Sequence, residues 1–337
     1  MSRAISETRA PADNVERSRV RLAGQIASAA QLGQRLPELL GRLVGRWFLA
    51  LAMQTWARAE VERLARALGQ LLHEPPARAR SLARACLQRG LQSSRMIMRV
   101  RSRSELRRLQ AAIAQAEIED ERGFSHWSRV TGYRPLVFAT LHMGPHILSA
   151  AIARRCRPEV ACDIVVGESQ KRWRHGLAKL WAAFGLPVDY LPAGRGEPGA
   201  AAAAHRKLRA GHDVAVYFDL AGQFGKTEAA CFFGHPAHFV VGPLTIAARG
   251  GALVVPTATV VEGKRIRLLL GAPIDPAPAR GESRRSALQR AQGELVRTAE
   301  AWIRRYPDQW LHWTMLPSLF AATRPEAVDL SPAPERT

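Results

Sequence analysis

"PLVFATLH", residues 135–142, is the first of several short apolar runs rich in β-branched residues. The others are CDIVVG (162–167), VAVYFD (214–219), ALVVPTATVV (252–261) and RIRLLLG (265–271). Helical patterns accompany them at Gln170–Phe184, Ala200–Ala210 and Ser283–Arg305. Because strands that alternate with helices form parallel sheets with helices on their faces, the sequence predicts an α/β fold with a mainly parallel sheet flanked by helices.

The regions around this pattern differ from it in composition. Residues 21–130 carry helical patterns with a break at EPPAR (74–78), and 131–323 are predicted to form one α/β core because no linker divides them. Residues 1–20 and 324–337 are poor in large apolar side chains, which predicts disorder at both ends.

The composition is that of a globular protein with a strongly basic surface. Of 337 residues, 47% are hydrophobic, and 49 Lys and Arg exceed 29 Asp and Glu, which gives a formal net charge of +20. Such a field attracts polyanions: anionic lipid headgroups, an acidic carrier protein or nucleic acid. A solvated Arg-rich face with no partner is the alternative. Nucleic acid is the least favoured partner, because no zinc-finger spacing or aromatic RNA-binding motif accompanies the basic residues.

One stretch has the profile of a helix that lies on a membrane surface. It covers residues 39–56, LLGRLVGRWFLALAMQTW, where Arg42 and Arg46 leave only Trp47–Met53 continuously apolar. About 20 apolar residues are needed to cross a bilayer. The stretch therefore predicts an interfacial helix on an anionic membrane surface, and the alternative is a helix packed on the protein's own core.

Gly194, Gly196 and Gly199 match the GxGxxG motif of dinucleotide-binding sites, but the position of the motif in the chain argues against such a site. In dinucleotide-binding folds this pattern occupies the first turn between strand and helix, whereas here it follows two earlier strands. Glu197 and Pro198 would also suit a pyrophosphate poorly. The segment is predicted to be a loop, and no cofactor is expected.

His142 stands where an α/β sheet places its ligands. PLVFATLH is predicted to be a buried strand, and Gly144 with Pro145 to begin a helix, because proline is favoured at the first helical position. His142 then lies at the carboxyl end of its strand, the edge at which open α/β sheets bind ligands. His146 lies four residues further on. The two histidines would not share a helix face and no third ligand is near them in sequence, so no metal site is expected.

Four segments of the chain occur in an order that is typical of one enzyme family. Residues 142–147 read His-Met-Gly-Pro-His-Ile, where the family has His-x-Gly-Asn-Trp-Glu after a strand. The other three are AGHDVAVYFDLAGQFGK (210–226), EAACFFGHPAHFVVGPLTIAARGGALVVP (228–256) and YPDQWLHW (306–313). From about Arg78 to Leu316 the chain resembles the late acyltransferases of lipid A biosynthesis, a branch of the lysophospholipid acyltransferase superfamily.

The resemblance implies transfer of a fatty acyl group from an acyl carrier protein or coenzyme A thioester to a hydroxyl or amine on a lipid or glycolipid acceptor. The histidine of the first motif, here His142, is implied to remove the proton of the attacking group, and the acid five residues later to orient the imidazole. No covalent enzyme intermediate is needed. The family also implies a peripheral protein at the cytoplasmic face of the bacterial inner membrane, where an acidic carrier would meet the basic surface.

The chain departs from the family at the acid, because Ile147 stands in its place. Three explanations follow. Asp219, which VAVYFD delivers to another strand end, can supply the acid; His142 can act alone on an amine; or catalysis has been lost, and the protein binds an acyl carrier or lipid for a partner enzyme. Asp219 has a further alternative, as the cap of a turn.

Substrate-binding residues are also implied by the resemblance. Lys171 and Arg174 fall near family cations that meet a substrate phosphate or the acyl carbonyl, and a solvated helix face is the alternative for them. His146 follows the base in the same motif.

The third segment contributes the remaining implied residues. Phe232, Phe233 and Gly234 would pack the core and shape the acyl pocket. Gly242 would begin a helix whose N–H groups suit an oxyanion or phosphate. The histidines of the same segment, His235 and His238, are predicted to be loop residues.

Overall fold

The computed structural model describes residues 57–99, 103–120, 134–167, 181–182, 184, 191–193 and 199–320. The chain divides into two compact units, Met1–Arg63 with Ser331–Thr337, and Leu64–Leu330. The sheet and the functional site lie in the second unit. The predictions for 1–20 and 324–337, for the surface helix near 39–56, and for Lys171 and Arg174 fall outside the described residues.

The described strands form one seven-stranded sheet and one hairpin. They are β1 (Glu117–Asp120), β2 (Leu136–Thr140), β3 (Cys162–Gly167), β4 (Leu191–Ala193), β5 (Asp213–Tyr217), β6 (Thr227–Phe232), β7 (His235–Val240), β8 (Leu253–Glu262) and β9 (Arg265–Leu270). The sheet has the order β1-β9-β8-β2-β5-β3-β4, in which β8 and β9 pair antiparallel and the other neighbours pair in parallel. The predicted α/β fold with a mainly parallel sheet is confirmed.

The described helices are α1 (57–72), α2 (Pro76–Arg99), α3 (Arg103–Gln115), α4 (Ser149–Ala153), α5 (Gly199–Arg209), α6 (Gly242–Gly250), α7 (Arg284–Arg305) and α8 (Leu316–Phe320). Helices α3 to α7 pack against strands of the sheet, and α8 packs against β7 of the hairpin. The two helices predicted at Ala200–Ala210 and Ser283–Arg305 match α5 and α7, and the Ser283 side chain caps α7 by accepting the Ser286 N–H. Among the described residues, no helix combines the length and apolar character needed to span a bilayer.

Strand β2 shows how the sheet is covered on both sides. All its residues are buried, and they alternate between two hydrophobic clusters, Val137 and Ala139 in one and Leu136 and Phe138 in the other. Successive side chains of a strand point to opposite faces, so each face carries its own apolar layer. The first cluster takes residues from α5, α6 and α7, and the second from α3 and α4.

The region 21–130, predicted to be helical, contains a strand. Strand β1 pairs in parallel with β9, and its Glu117 and Glu119 side chains form salt bridges with Arg267. Four residues, three of them acidic, carry no strand pattern of their own. The strand forms because a neighbouring strand offers both hydrogen bonds and an opposite charge.

Strands β6 and β7 form an antiparallel hairpin that the sequence analysis missed. Its two turn residues, Phe233 and Gly234, have φ values of 51° and 79°. Positive φ at both positions is the geometry of the tightest hairpin turns, usually marked by Asn-Gly, and phenylalanine in the first position hid the signal. The prediction that His235 and His238 are loop histidines is wrong, because both lie on β7.

Candidate active site

Two neighbouring strands carry His142 and Asp219 to one edge of the sheet. Strands β2 and β5 pair in parallel with Thr140 opposite Tyr217, so the chain leaves both strands at the same carboxyl edge. His142 comes two residues after the end of β2, and Asp219 comes two residues after the end of β5. The strand order thus brings together residues that are 77 positions apart in the chain.

Asp219 holds both the ring and the backbone of His142. Nδ1 of His142 lies 2.7 Å from Oδ1 of Asp219, and the backbone N–H of His142 donates to Oδ2 at 2.9 Å. The Asp219 side chain is 0% exposed, whereas the His142 side chain is 13% exposed. The predicted proximity of these two side chains is confirmed, and their catalytic role stays a prediction.

The carboxyl group of Asp219 is ionised. Burial by itself raises its pKa, but attraction to His142 when that ring is protonated, together with the hydrogen bonds from His142 and Trp310, outweighs burial and holds the pKa well below the usual value of an aspartate. An ionised carboxylate only accepts hydrogen bonds, so the shared proton lies on Nδ1 of His142. Nε2 of the neutral ring then carries the lone pair that a general base needs.

The segment YPDQWLHW (306–313) forms one wall of the site. The Leu311 N–H donates to the His142 carbonyl at 2.8 Å, and the Gly144 N–H donates to the Gln309 carbonyl at 2.8 Å. The two stretches thus pair locally as antiparallel strands do. The fourth segment of the resemblance therefore lies against the first.

Trp310 and His312 are site residues that the sequence analysis did not select. The Trp310 indole N–H donates to Oδ2 of Asp219 at 2.9 Å, and Nδ1 of His312 lies 2.8 Å from the main-chain oxygen of Asp219. The His312 ring also stacks on His142, with 4.0 Å between ring centroids and 25° between planes. Both residues belong to YPDQWLHW. The resemblance identified this segment as the last of the four motifs and implied no role for its residues.

Tyr217 covers the other face of the His142 ring. Its centroid lies 4.0 Å from that of His142, and because His312 stacks at the same distance, the imidazole is held between the two rings. The Tyr217 hydroxyl lies 2.9 Å from Nδ1 of His146. Burial and the charge of Asp219 raise the pKa of Tyr217, whereas burial and repulsion from His142 and His312 lower the pKa of His146 well below its usual value. The phenol is therefore protonated and the His146 imidazole neutral.

Gly144 makes the turn that aligns the two stretches. Its φ is +50°, and a Cβ at this position would lie 2.5 Å from the Thr259 carbonyl oxygen. Both the conformation and the available space therefore require glycine. The helix predicted to begin at Gly144 and Pro145 begins later, because His146–Leu148 forms a 3₁₀ turn before α4.

Ile147 belongs to the second hydrophobic cluster. It is 6% exposed within the second hydrophobic cluster, and its carbonyl accepts the Trp181 indole N–H at 3.1 Å. A small pocket, partly open to solvent, lies beside it, with Trp181, His146 and Tyr217 among its lining residues. The carboxylate that contacts His142 is that of Asp219, which follows the neighbouring strand β5.

Phe232, Phe233 and Gly234 lie at the hairpin turn, and other residues line the pocket beside His146. The fully buried Phe232 ring lies edge-on to Trp310 with centroids 5.6 Å apart, and Phe233 lies 5.9 Å from Trp313. These rings therefore support the YPDQWLHW wall. A role for them in shaping an acyl pocket stays a prediction.

Gly242 is the first residue of α6, as the sequence predicts, and Pro243 follows it. Binding of substrate by the N-terminus of this helix stays a prediction. The same holds for His146, whose ring centroid lies 4.9 Å from that of His142 and whose Nδ1 lies 2.9 Å from the Tyr217 hydroxyl.

Three groups at the site have the spacing of metal ligands. One ligand atom each from His142, Asp219 and His312 lies within 4.8 Å of the others. These groups already hold hydrogen bonds: the carboxylate accepts the His142 ring, the His142 backbone and Trp310, and His312 donates to a carbonyl. A metal ion bound at the Nδ1 and carboxylate atoms would have to displace these protons.

Comparison with known proteins adds no relative: neither a family model nor a curated sequence matches the chain. The chemistry of the site is therefore inferred from its geometry and from the resemblance of its motifs.

Proposed function

We propose that this protein is an acyltransferase that moves a fatty acyl group from an acyl-carrier-protein or coenzyme A thioester to a hydroxyl or amine, with His142 as general base and Asp219 as its partner. The observation that carries the proposal is the 2.7 Å contact between Nδ1 of His142 and Oδ1 of Asp219 at the carboxyl edge of a parallel sheet. The four motif segments support the choice of acyl transfer.

The chemistry is that of a histidine–carboxylate pair whose nucleophile is the substrate. Nε2 of His142 takes the proton of the acceptor as its oxygen or nitrogen attacks the thioester carbonyl. The C–S bond then breaks, and the imidazolium returns the proton to the departing thiolate. The products are an ester or amide and a free thiol. Asp219 stabilises the positive charge that His142 carries between these two proton transfers.

The donor and the location extend this proposal. A formal net charge of +20 would attract an acidic acyl carrier and an anionic bilayer, and no cofactor is needed. The apolar, Arg-bearing stretch 39–56 would hold the protein peripherally at the cytoplasmic face of the bacterial inner membrane, next to a lipid or glycolipid acceptor.

The test is release of free thiol by the purified full-length chain from myristoyl and palmitoyl thioesters of acyl carrier protein and coenzyme A. Mixed phospholipid and glycolipid vesicles serve as acceptors. We expect turnover that His142→Ala removes and that His205→Ala, at an exposed hydrogen bond on α5, leaves unchanged. Binding of the acyl carrier without turnover would support an inactive homologue that serves a partner enzyme. Turnover that is equal in the two variants would overturn the role of His142.

A further inference from the structure

The hydrogen bonds of His142 and His312 determine which nitrogen of each neutral imidazole carries the proton. The main-chain oxygen of Asp219 can only accept a hydrogen bond, so Nδ1 of His312, 2.8 Å away, carries a proton. The ionised Asp219 carboxylate places a proton on Nδ1 of His142 in the same way. In the neutral rings the lone pairs therefore lie on the Nε2 atoms, which point away from Asp219.

The Nε2 edges of both rings are directed away from Asp219, because the Nδ1 edges contact it. The rings of His142 and His312 stack with centroids 4.0 Å apart, and both turn their Nδ1 edges towards Asp219. Their side chains are 13% and 17% exposed, although Asp219 beneath them is 0% exposed. Within the described part of the chain, neither Nε2 has a hydrogen-bond donor. The attacking group is proposed below to stand on this partly exposed side of the two rings.

His312 is suited to accepting a hydrogen bond and not to carrying a proton. Burial and repulsion from His142 lower its pKa to about 4, against the opposing effects of the Asp219 charge and carbonyl. The ring is therefore neutral near pH 7, and its Nε2 is an acceptor only. Proton transfer remains with His142.

We propose that Nε2 of His312 is a second acceptor for the attacking group, and that this group is a primary amine. The inference rests on the acyl transfer proposed above and names its acceptor class. A hydroxyl offers one proton, which leaves one of two neighbouring acceptors unused, whereas a neutral amine offers two. With one N–H bonded to each Nε2, the nitrogen lone pair is free to point at the thioester carbonyl.

Every bond and proton in this reaction is accounted for without a further reactant. The C–N bond forms and the C–S bond breaks, one proton passes from nitrogen through His142 to the thiolate, and the other proton stays on nitrogen as the amide N–H. His312 holds that second N–H throughout and neither gains nor loses a proton. The products are a secondary amide and a thiol.

The test is a competition between acceptors that differ only in the attacking group: hexadecylamine, hexadecanol and 1,2-hexadecanediol in mixed micelles. The purified full-length protein receives a myristoyl thioester of acyl carrier protein, and mass spectrometry counts amide against ester. We expect amide to form at least about ten-fold faster than either ester, the ratio that one additional hydrogen bond in the transition state supplies. Ester from hexadecanol alone would overturn the amine assignment and leave acyl transfer standing. A preference for the diol would also overturn it, and no product from any acceptor would overturn both proposals.

Two substitutions of His312 distinguish the role of its Nδ1 atom from that of its Nε2 atom. In His312→Asn the amide can keep the inner bond to the Asp219 carbonyl but has no atom at the Nε2 position, whereas in His312→Gln the amide oxygen can take the place of Nε2. We expect the ratio of amide to ester to fall about ten-fold in the Asn variant and to be largely retained in the Gln variant. A wild-type ratio in the Asn variant, with an unchanged melting temperature, would overturn the role of His312.

Discussion

Nδ1 of His142 lies 2.7 Å from Oδ1 of Asp219, although 77 residues separate them and the acid expected five residues after the histidine is Ile147. The same carboxylate also accepts the backbone N–H of His142 and the indole of Trp310. A carboxylate with this many donors is fixed in place and stays ionised. The imidazole is therefore oriented by a residue of the neighbouring strand.

We expect His142→Ala and Asp219→Asn each to lower acyl transfer by about 10² to 10⁴-fold, the usual range for general base catalysis. The Asn amide can point an N–H at Nδ1, which favours the tautomer with the proton on Nε2. The double variant should be little slower than the slower single one, because the two residues act as one unit. Initial rates of thiol release measure all three. A nearly silent Asp219→Asn would indicate that His142 works alone.

Ile147→Glu, which installs the acid of the family motif, should destabilise the fold and give no gain in rate. The side chain is 6% exposed in an apolar cluster, so the new carboxylate would be buried without a partner. We expect a loss of at least about 2 kcal/mol in the free energy of unfolding, measured in urea. Ile147→Val, the control, should cost about 1 kcal/mol. Unchanged stability with faster transfer to hydroxyl acceptors would contradict the buried position of this residue.

Much of this arrangement could be predicted because it follows from strong local patterns. Strands β2 and β5 are apolar runs with a polar residue just beyond each end, and parallel pairing sends both ends to one edge. The pairing of Leu311 with His142 could not be predicted in the same way. It joins residues from distant parts of the chain, and no local propensity encodes it. His312 was missed for this reason, since its function depends on where that segment packs.

Gly144→Ala should disturb the site through the backbone. A Cβ there would lie 2.5 Å from the Thr259 carbonyl oxygen at a φ of +50°, so the chain has to move. Gly263→Ala is the matched control, because its φ is +61° and a Cβ there meets nothing within 4 Å. Both variants carry the strain of a positive φ, on the order of 1 kcal/mol. In urea unfolding, we expect Gly144→Ala to lower the free energy of unfolding by at least about 1 kcal/mol more than Gly263→Ala does. In the thiol-release assay, we expect Gly144→Ala to lose most acyl transfer. Equal losses in the two variants would show that the contact with Thr259 is unimportant.

Membrane attachment is expected to depend on Arg42 and Arg46. Replacing both with glutamate should weaken binding to vesicles containing phosphatidylglycerol, and high salt should weaken binding of the wild type, because the attraction is screened. Arg284→Glu with Arg285→Glu changes the net charge equally at exposed positions of α7 and serves as the control. Vesicle sedimentation measures both. Equal binding by the two double variants would favour the alternative, in which residues 39–56 form a helix that packs on the protein's own core.

At the opposite, amino edge of the sheet, Asp213 and Arg157 form a buried ion pair. Nη1 of Arg157 lies 2.8 Å from Oδ1 of Asp213, which also accepts the Leu136 N–H at 2.9 Å. The two side chains are 7% and 2% exposed. Burial raises the pKa of Asp213 to about 6, although Arg157 and the Leu136 N–H act against it.

The raised pKa of Asp213 gives the pH dependence of stability a definite sign. Between about pH 6 and pH 4 the folded chain binds a proton at this carboxyl that the unfolded chain has released, so this group favours folding increasingly as the pH falls. Asp213→Asn cannot titrate and keeps an oxygen for Arg157 and Leu136. From about pH 7.5 to about pH 5, the free energy of unfolding of the wild type should rise by roughly 1 kcal/mol relative to the Asn variant, measured by urea titration at each pH. A difference that stays constant with pH, or one of opposite sign, would show that the carboxyl is ionised throughout and that Arg157 outweighs its burial.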